Sequence, residues 1–252
     1  MGKLQYSVLR YYPSIIAGES INLGVLFSDE ESGIREFRYT KNFSRVRKFD
    51  DELNIDNLRL LLQSIKDEIN ITIYNYNIKF DLLSFIKYYV NEFHFDTPIE
   101  ITYENYECCA DEILKMYLRY DFDKNKRPTH EQQIAFLAKL LTEREVPFKR
   151  NIQRAGKYSE PISYDYFFYD YGVKFFSFTD KNLRRLLNDV KAWAWNCEHS
   201  ENLVKTMIFY DYVKSDEKND IIFHYIMNIL KSATKEVYSI EDGIKLLNSI
   251  NK

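Results

Sequence analysis

The stretch from Tyr6 to Phe27 constrains the fold more than any other, because two apolar runs flank a polar segment punctuated by Pro13 and Gly18. Ile21, Leu23, Val25 and Phe27 alternate with Asn22, Gly24 and Leu26, which is the period of a strand with one face on a core. The sequence therefore predicts a β-hairpin, with Arg10, Glu19 and Asn22 gathered near one end of it. An arginine answered by a carboxylate and an amide makes a self-contained polar network. Fixing the turn is the expected role of these three residues, and a small binding pocket or a docking site for a protein partner is the functional alternative.

The hairpin opens a longer pattern. Ser28 to Gly33 is a turn signal, and Ile34 to Thr40 suits a third antiparallel strand. Leu58, Leu61, Leu62, Ile65 and Ile69 recur at helical spacing. A strand over Ile71 to Tyr76, a helix over Phe80 to Phe93, a strand over Ile99 to Tyr103 and a helix over Cys109 to Tyr120 follow. The charged run Asp121 to Pro128 then reads as a boundary, separating a first domain over residues 1–121 from a second over 129–252. Thr129 with Gln132 is a capping box that opens a helix. Beyond it come a hairpin of Ile162 to Tyr169 with Val173 to Phe178, a helix capped by Thr179-Asp180 and running to about Cys197, a strand over Leu203 to Val213, a helix from Glu217 to Lys231, a short strand at Lys235 to Ser239 and a last helix over Gly243 to Ile250. The fold class is α+β: an antiparallel N-terminal meander covered by helices, followed by a C-terminal α/β sandwich compatible with a degenerate restriction-endonuclease-like fold.

The pattern Tyr6-Ser7, Arg10-Tyr11, Gly18-Glu19, Asn22 and Gly24-Val25 resembles the bacterial family named domain of unknown function 3037, over roughly the first hundred residues. That resemblance implies no activity. It does imply a setting, since short members are often encoded near kinases resembling the HipA toxin, and a role in toxin–antitoxin, mobile-element or phage-defence systems follows as an expectation.

Composition limits the function classes. The chain has 252 residues, 45% hydrophobic and 29% charged, which excludes disorder, and no run approaches the length of about 20 apolar residues needed to span a bilayer. A cytoplasmic protein without membrane contact is expected. Cys108, Cys109 and Cys197 lack metal or redox spacing and read as reduced thiols. His94, His130, His199 and His224 hold no ligand spacing, and only 7 glycines are present, with no phosphate-cradling loop. No cofactor is expected on these grounds.

One catalytic arrangement remains. Asp165 in an aromatic strand, Lys174 on its partner and Glu131 on the preceding helix would suit a Mg²⁺-dependent nuclease, in which clustered carboxylates hold the metal and a lysine steadies the phosphate. The second carboxylate of a Glu-x-Lys pattern is missing, because Val173-Lys174-Phe175 has glycine before it. Two basic clusters stand against a net charge of −3: Arg35, Arg38, Lys41, Arg45, Arg47 and Lys48 beside Tyr39 and Phe43, and Lys149, Arg150, Arg154 and Lys157 in a loop before Pro161. Of these, Arg45, Arg47 and Lys48 are the candidates for docking an anionic partner, and a protein is expected ahead of nucleic acid. The functional expectation is a non-enzymatic binding or regulatory protein, with the nuclease or its inactive descendant as the alternative.

Overall fold

The computed structural model describes residues 1–14, 19–71, 80–143, 146–155, 159–178, 182–198, 204–211, 217–240, 242–243 and 246. The chain divides into two compact units, Met1–Gln133 and Ile134–Lys252. Both are mixed α and β, with an antiparallel sheet in the first and a sheet flanked by helices in the second.

The first unit is built on β1 (Gly2–Tyr11), β2 (Ile21–Asp29) and β3 (Ile34–Tyr39), an antiparallel meander in the order expected. Two short strands, β4 (Phe93–Phe95) and β5 (Ile99–Tyr103), take successive lengths of the other edge of β1. The alternation read for the hairpin needs correcting. A bulge offsets the register between Leu9 and Arg10, so Gly24 faces Leu9 while Asn22 faces Arg10, and Leu23 is the extra residue. The bulge shifts the side-chain parity of β2. Ile21, Leu23 and Leu26 join one core, while Val25 and Phe27 turn to the other side, and all nine residues of β2 are buried. A strand covered on both faces cannot show a polar face.

The first of those cores is closed by α1 (Phe43–Phe49), α2 (Ile55–Ile71) and α3 (Leu82–Ile86), through Val46, Leu58, Leu62, Ile65, Ile69 and Leu82. The opposite face takes α4 (Tyr106–Tyr117), whose Tyr106 meets Phe27 edge-on and whose Tyr117 hydroxyl lies 3.3 Å from that of Tyr6. Sequence periodicity missed α1, where Arg45, Arg47 and Lys48 leave little apolar signal. Its start is set by Asn42, whose side chain accepts the N–H of Arg45. The helix expected over Phe80 to Phe93 is confined to α3, and its end becomes β4. The strand expected over Ile71 to Tyr76 lies, but for Ile71, outside the described residues, and Ile71 closes α2. Two 3₁₀ turns, Arg119–Asp121 and Lys124–Lys126, occupy the charged run before Pro128.

The second unit carries a five-stranded sheet in the order β10-β9-β8-β7-β6. Helix α5 (His130–Glu143) leads in, capped as expected by reciprocal bonds between Thr129 and Gln132. β6 (Phe148–Ala155), β7 (Pro161–Phe168) and β8 (Tyr171–Ser177) form an antiparallel meander. Helix α6 (Leu183–Glu198) crosses to β9 (Lys205–Asp211), parallel to β8, and α7 (Glu217–Ala233) leads to β10 (Glu236–Ser239), parallel to β9. β6 replaces the basic loop expected before Pro161. It is an edge strand held by backbone pairing, with Lys149, Arg150, Gln153 and Arg154 exposed, so it has no apolar alternation to read. One face of the sheet packs on α6 and α7 through Ile162, Tyr164, Phe176, Leu186, Val190, Trp193, Ile226 and Leu230. On the other face the Tyr166 hydroxyl donates to the carbonyl of Ile134 in α5 at 2.6 Å. Asn182 caps α6; Thr179-Asp180, His199, Lys157 and most of the last expected helix lie outside the described residues.

Candidate functional site

The hairpin residues do converge, with one change of partner. Arg10 and Asn22 are paired across the strands and both are 3% exposed. The carboxylate that meets the guanidinium is Asp96, at 2.8 Å from Nε, in the break between β4 and β5. Glu19 is exposed. Asn22 donates to the carbonyl of Tyr117 at 3.0 Å, and Ser7 donates to the backbone oxygen of Asp96. The network thus ties the hairpin to α4 and to the kinked edge. Asp96 was invisible in the sequence because it lies 86 residues from Arg10.

A groove of ≈ 660 Å³ lies beside β3, with walls from α2 and α4. Phe37, Tyr39, Phe43, Leu114, Leu118 and Phe122 give it an apolar lining. Its main cation is spoken for. Arg38 reaches Glu36 at 2.7 Å, Glu107 at 2.7 Å and Asp111 at 3.4 Å, and its guanidinium lies over the Tyr106 ring. Burial works against the Glu36 carboxylate, yet the bonds from Arg38 and from the Tyr106 hydroxyl outweigh it and hold its pKa below the usual range. Burial, then the bond to Glu36, pushes the Tyr106 phenol up. Asp121, also on the groove, accepts from the Thr40 hydroxyl and the Lys41 N–H, both at 2.8 Å. Lys41 and Lys66 stand exposed on the rim.

The basic cluster of α1 is completed from far along the chain. The guanidinium of Arg45 lies 4.9 Å from the centroid of the Tyr120 ring and that of Arg127 5.0 Å from the same centroid. Asn42 also holds the carbonyl of Tyr120, at 3.0 Å. Arg47 and Lys48 are exposed on the last turn of α1. The contribution of Arg127 could not be read from sequence, where its charge looked like part of a linker.

In the second unit Asp165 and Lys174 come together on neighbouring strands, 3.4 Å apart and about one fifth exposed at 21% and 17%. Lys174 also donates to Ser163 at 3.4 Å, and the N–H of Phe175 donates to Asp165 at 2.8 Å. β7 is an inner strand, so Asp165 does not lie on the sheet edge. Glu131 is exposed on the first turn of α5, in the first unit. Position 172, two before Lys174, is a glycine, and a Cβ there would lie 2.5 Å from the ring of Tyr164. Among the described residues no group of three or more His, Cys, Asp and Glu side chains is placed to hold a metal ion. A second cleft of ≈ 440 Å³ at the start of β8, β9 and β10 is lined by Tyr171, Lys205, Thr206 and Cys197. Burial pushes the Cys197 thiol up to about 11, which disfavours the nucleophilic thiolate.

Residues 6–78 match the model of a family described as Protein of unknown function (DUF3037), the family that the N-terminal residues resemble. No curated protein matches the chain. No solved structure matches it either. Among the described residues no helix is long and apolar enough to cross a membrane.

Proposed function

We propose that this chain acts by binding a protein partner and carries out no chemistry of its own. The observation that carries this reading is Gly172 beneath the Tyr164 ring. A Mg²⁺-dependent nuclease needs a second carboxylate beside Asp165, at the position two before Lys174. A side chain there would have to displace the ring of Tyr164, with a Cβ contact of 2.5 Å. Lys174, the residue that would face a phosphate, is instead paired with Asp165 and Ser163. The residues present do not fit the metal.

The nuclease alternative keeps one supporting feature. The meander β6-β7-β8 followed by a helical crossover to parallel β9, with helices covering the sheet, is the kind of mixed sheet from which a restriction-endonuclease-like ancestry was expected. Fold alone assigns no activity, and an inactive descendant satisfies both observations. Such a descendant, joined to a first unit with a lined groove, suits a regulatory component of a toxin–antitoxin, mobile-element or phage-defence system. Incubation of the intact chain and of Asp165→Ala with single- and double-stranded DNA and RNA in Mg²⁺ or Mn²⁺ tests the reading. The expected result is no cleavage by either; metal-dependent cleavage that disappears in Asp165→Ala would overturn it.

A further inference from the structure

We infer that the cleft at the start of β8, β9 and β10 is a binding site for a small molecule bearing an oxyanion, a phosphate or a carboxylate. The site lies wholly in the second unit and goes beyond the protein-binding reading above. A cleft of ≈ 440 Å³ has the size that takes one metabolite. Its inner wall is set by Tyr164, which is buried at 3% exposure and packs edge-on against Trp193 and Phe167. Gly172 makes that placement possible, because the ring fills the space that a Cβ would need. The glycine that leaves the nuclease pattern incomplete thus lets a tyrosine carry its hydroxyl to Cys197 and Thr206, which line the same cleft.

The donors left over in the cleft select an acceptor. Thr206 donates its hydroxyl hydrogen to the Val204 carbonyl at 3.1 Å, and Thr234 donates to the Thr206 carbonyl at 2.8 Å. The Tyr164 hydroxyl has only long contacts, 3.4 Å to the Thr206 oxygen and 3.9 Å to the Cys197 sulfur, where a full hydroxyl bond to oxygen spans about 2.7 Å. Burial pushes the Tyr164 phenol up to about 12, so it stays a donor at neutral pH. The charges point the same way. Lys205 and Lys235 are exposed at the cleft, and among the described residues neither is paired with a carboxylate; the Lys205 ammonium lies 5.5 Å from the centroid of the Tyr171 ring. Glu236, the one carboxylate among the described lining residues, takes the Tyr238 hydroxyl. Farther in, Arg154 acts on the Tyr164 hydroxyl, while Lys174 and Glu198 oppose each other at Cys197. Two ammonium groups and a buried hydroxyl donor complement an anion with several oxygens. A cation would find only Glu236, and an apolar molecule would strand the Tyr164 hydroxyl.

Isothermal titration calorimetry of the intact chain with AMP, inorganic phosphate and citrate, and with adenosine as an uncharged counterpart, tests this inference. At least one of the three anions is expected to bind saturably in the millimolar range or tighter, and adenosine not to bind. Binding of AMP or phosphate marks the ligand as a phosphate compound, and binding of citrate alone marks it as a carboxylate. The Lys205→Glu/Lys235→Glu double variant should weaken that anion by about tenfold or more. Tyr164→Phe keeps the ring, removes the hydroxyl and should weaken it by about threefold to tenfold; circular dichroism on each variant establishes that it is folded. The inference fails if none of the three anions binds, if adenosine binds as tightly as AMP, or if either the lysine double variant or Tyr164→Phe leaves the affinity unchanged.

Discussion

Two ion pairs, Arg10 with Asp96 in the first unit and Lys174 with Asp165 in the second, differ in what surrounds them. Arg10 and Asp96 meet at 2.8 Å with 3% and 11% of their side chains exposed, among Ser7, Ser20 and Asn22. Lys174 and Asp165 meet at 3.4 Å with 17% and 21% exposed. A buried pair costs desolvation on both sides and is kept only where further hydrogen bonds complete it. The first pair is completed in that way and locks a hairpin to a broken edge. The second is looser and reachable by water, at the place where a nuclease would keep its chemistry. A carboxylate beside a cation is therefore locked into the hairpin edge in one unit and left partly open to water in the other.

The same substitution in both units separates these roles. Asp96→Ala leaves the Arg10 guanidinium buried without its carboxylate and is expected to destabilise the first unit by about 3–5 kcal/mol in denaturant unfolding. A loss below about 1 kcal/mol would place Asp96 on a par with surface charges. Gly24→Val comes next. Its Cβ would lie 2.6 Å from the Phe37 ring, so overpacking of about 1–3 kcal/mol and a lower Tm are expected, whereas an unchanged Tm would mean that Phe37 gives way freely.

Asp165→Ala is expected to cost about 1 kcal/mol, since it gives up one bond to the Phe175 N–H and a partly screened ion pair. Equality with Asp96→Ala would dissolve the contrast between the units. The smallest effect is that of pH on Glu36. Its folded pKa lies below its unfolded value, so its stabilisation is present above about pH 4 and is lost as pH falls through the folded pKa. Glu36→Gln should flatten the acid limb of the stability curve of the first unit; an unaltered limb would remove Glu36 from the account.

Local patterns made much of this architecture legible. The meander Tyr6 to Tyr39, the capping box at Thr129 and the aromatic hairpin around Gly172 each carry their signal within a few residues. What escaped was non-local or polar. The bulge at Leu23 changes which residues of β2 share a face, and no period reveals a single inserted residue. β6 and α1 form because backbone and cap bonds hold them while charged side chains cover their surfaces. The candidate sites divide likewise. Asp165 and Lys174 were brought together by a hairpin that could be foreseen. Asp96 beside Arg10, the carboxylates around Arg38, and Arg127 beside Arg45 required the tertiary fold.

Thermal unfolding of the intact chain with and without millimolar Mn²⁺ tests the central claim most directly, because a cation held at Asp165 stabilises the folded state by mass action whether or not any substrate is known. The account predicts a Tm unmoved by the metal in the native chain and in Asp165→Ala alike. A metal-dependent rise in Tm that is lost in Asp165→Ala would contradict it and return the second unit to the enzymes.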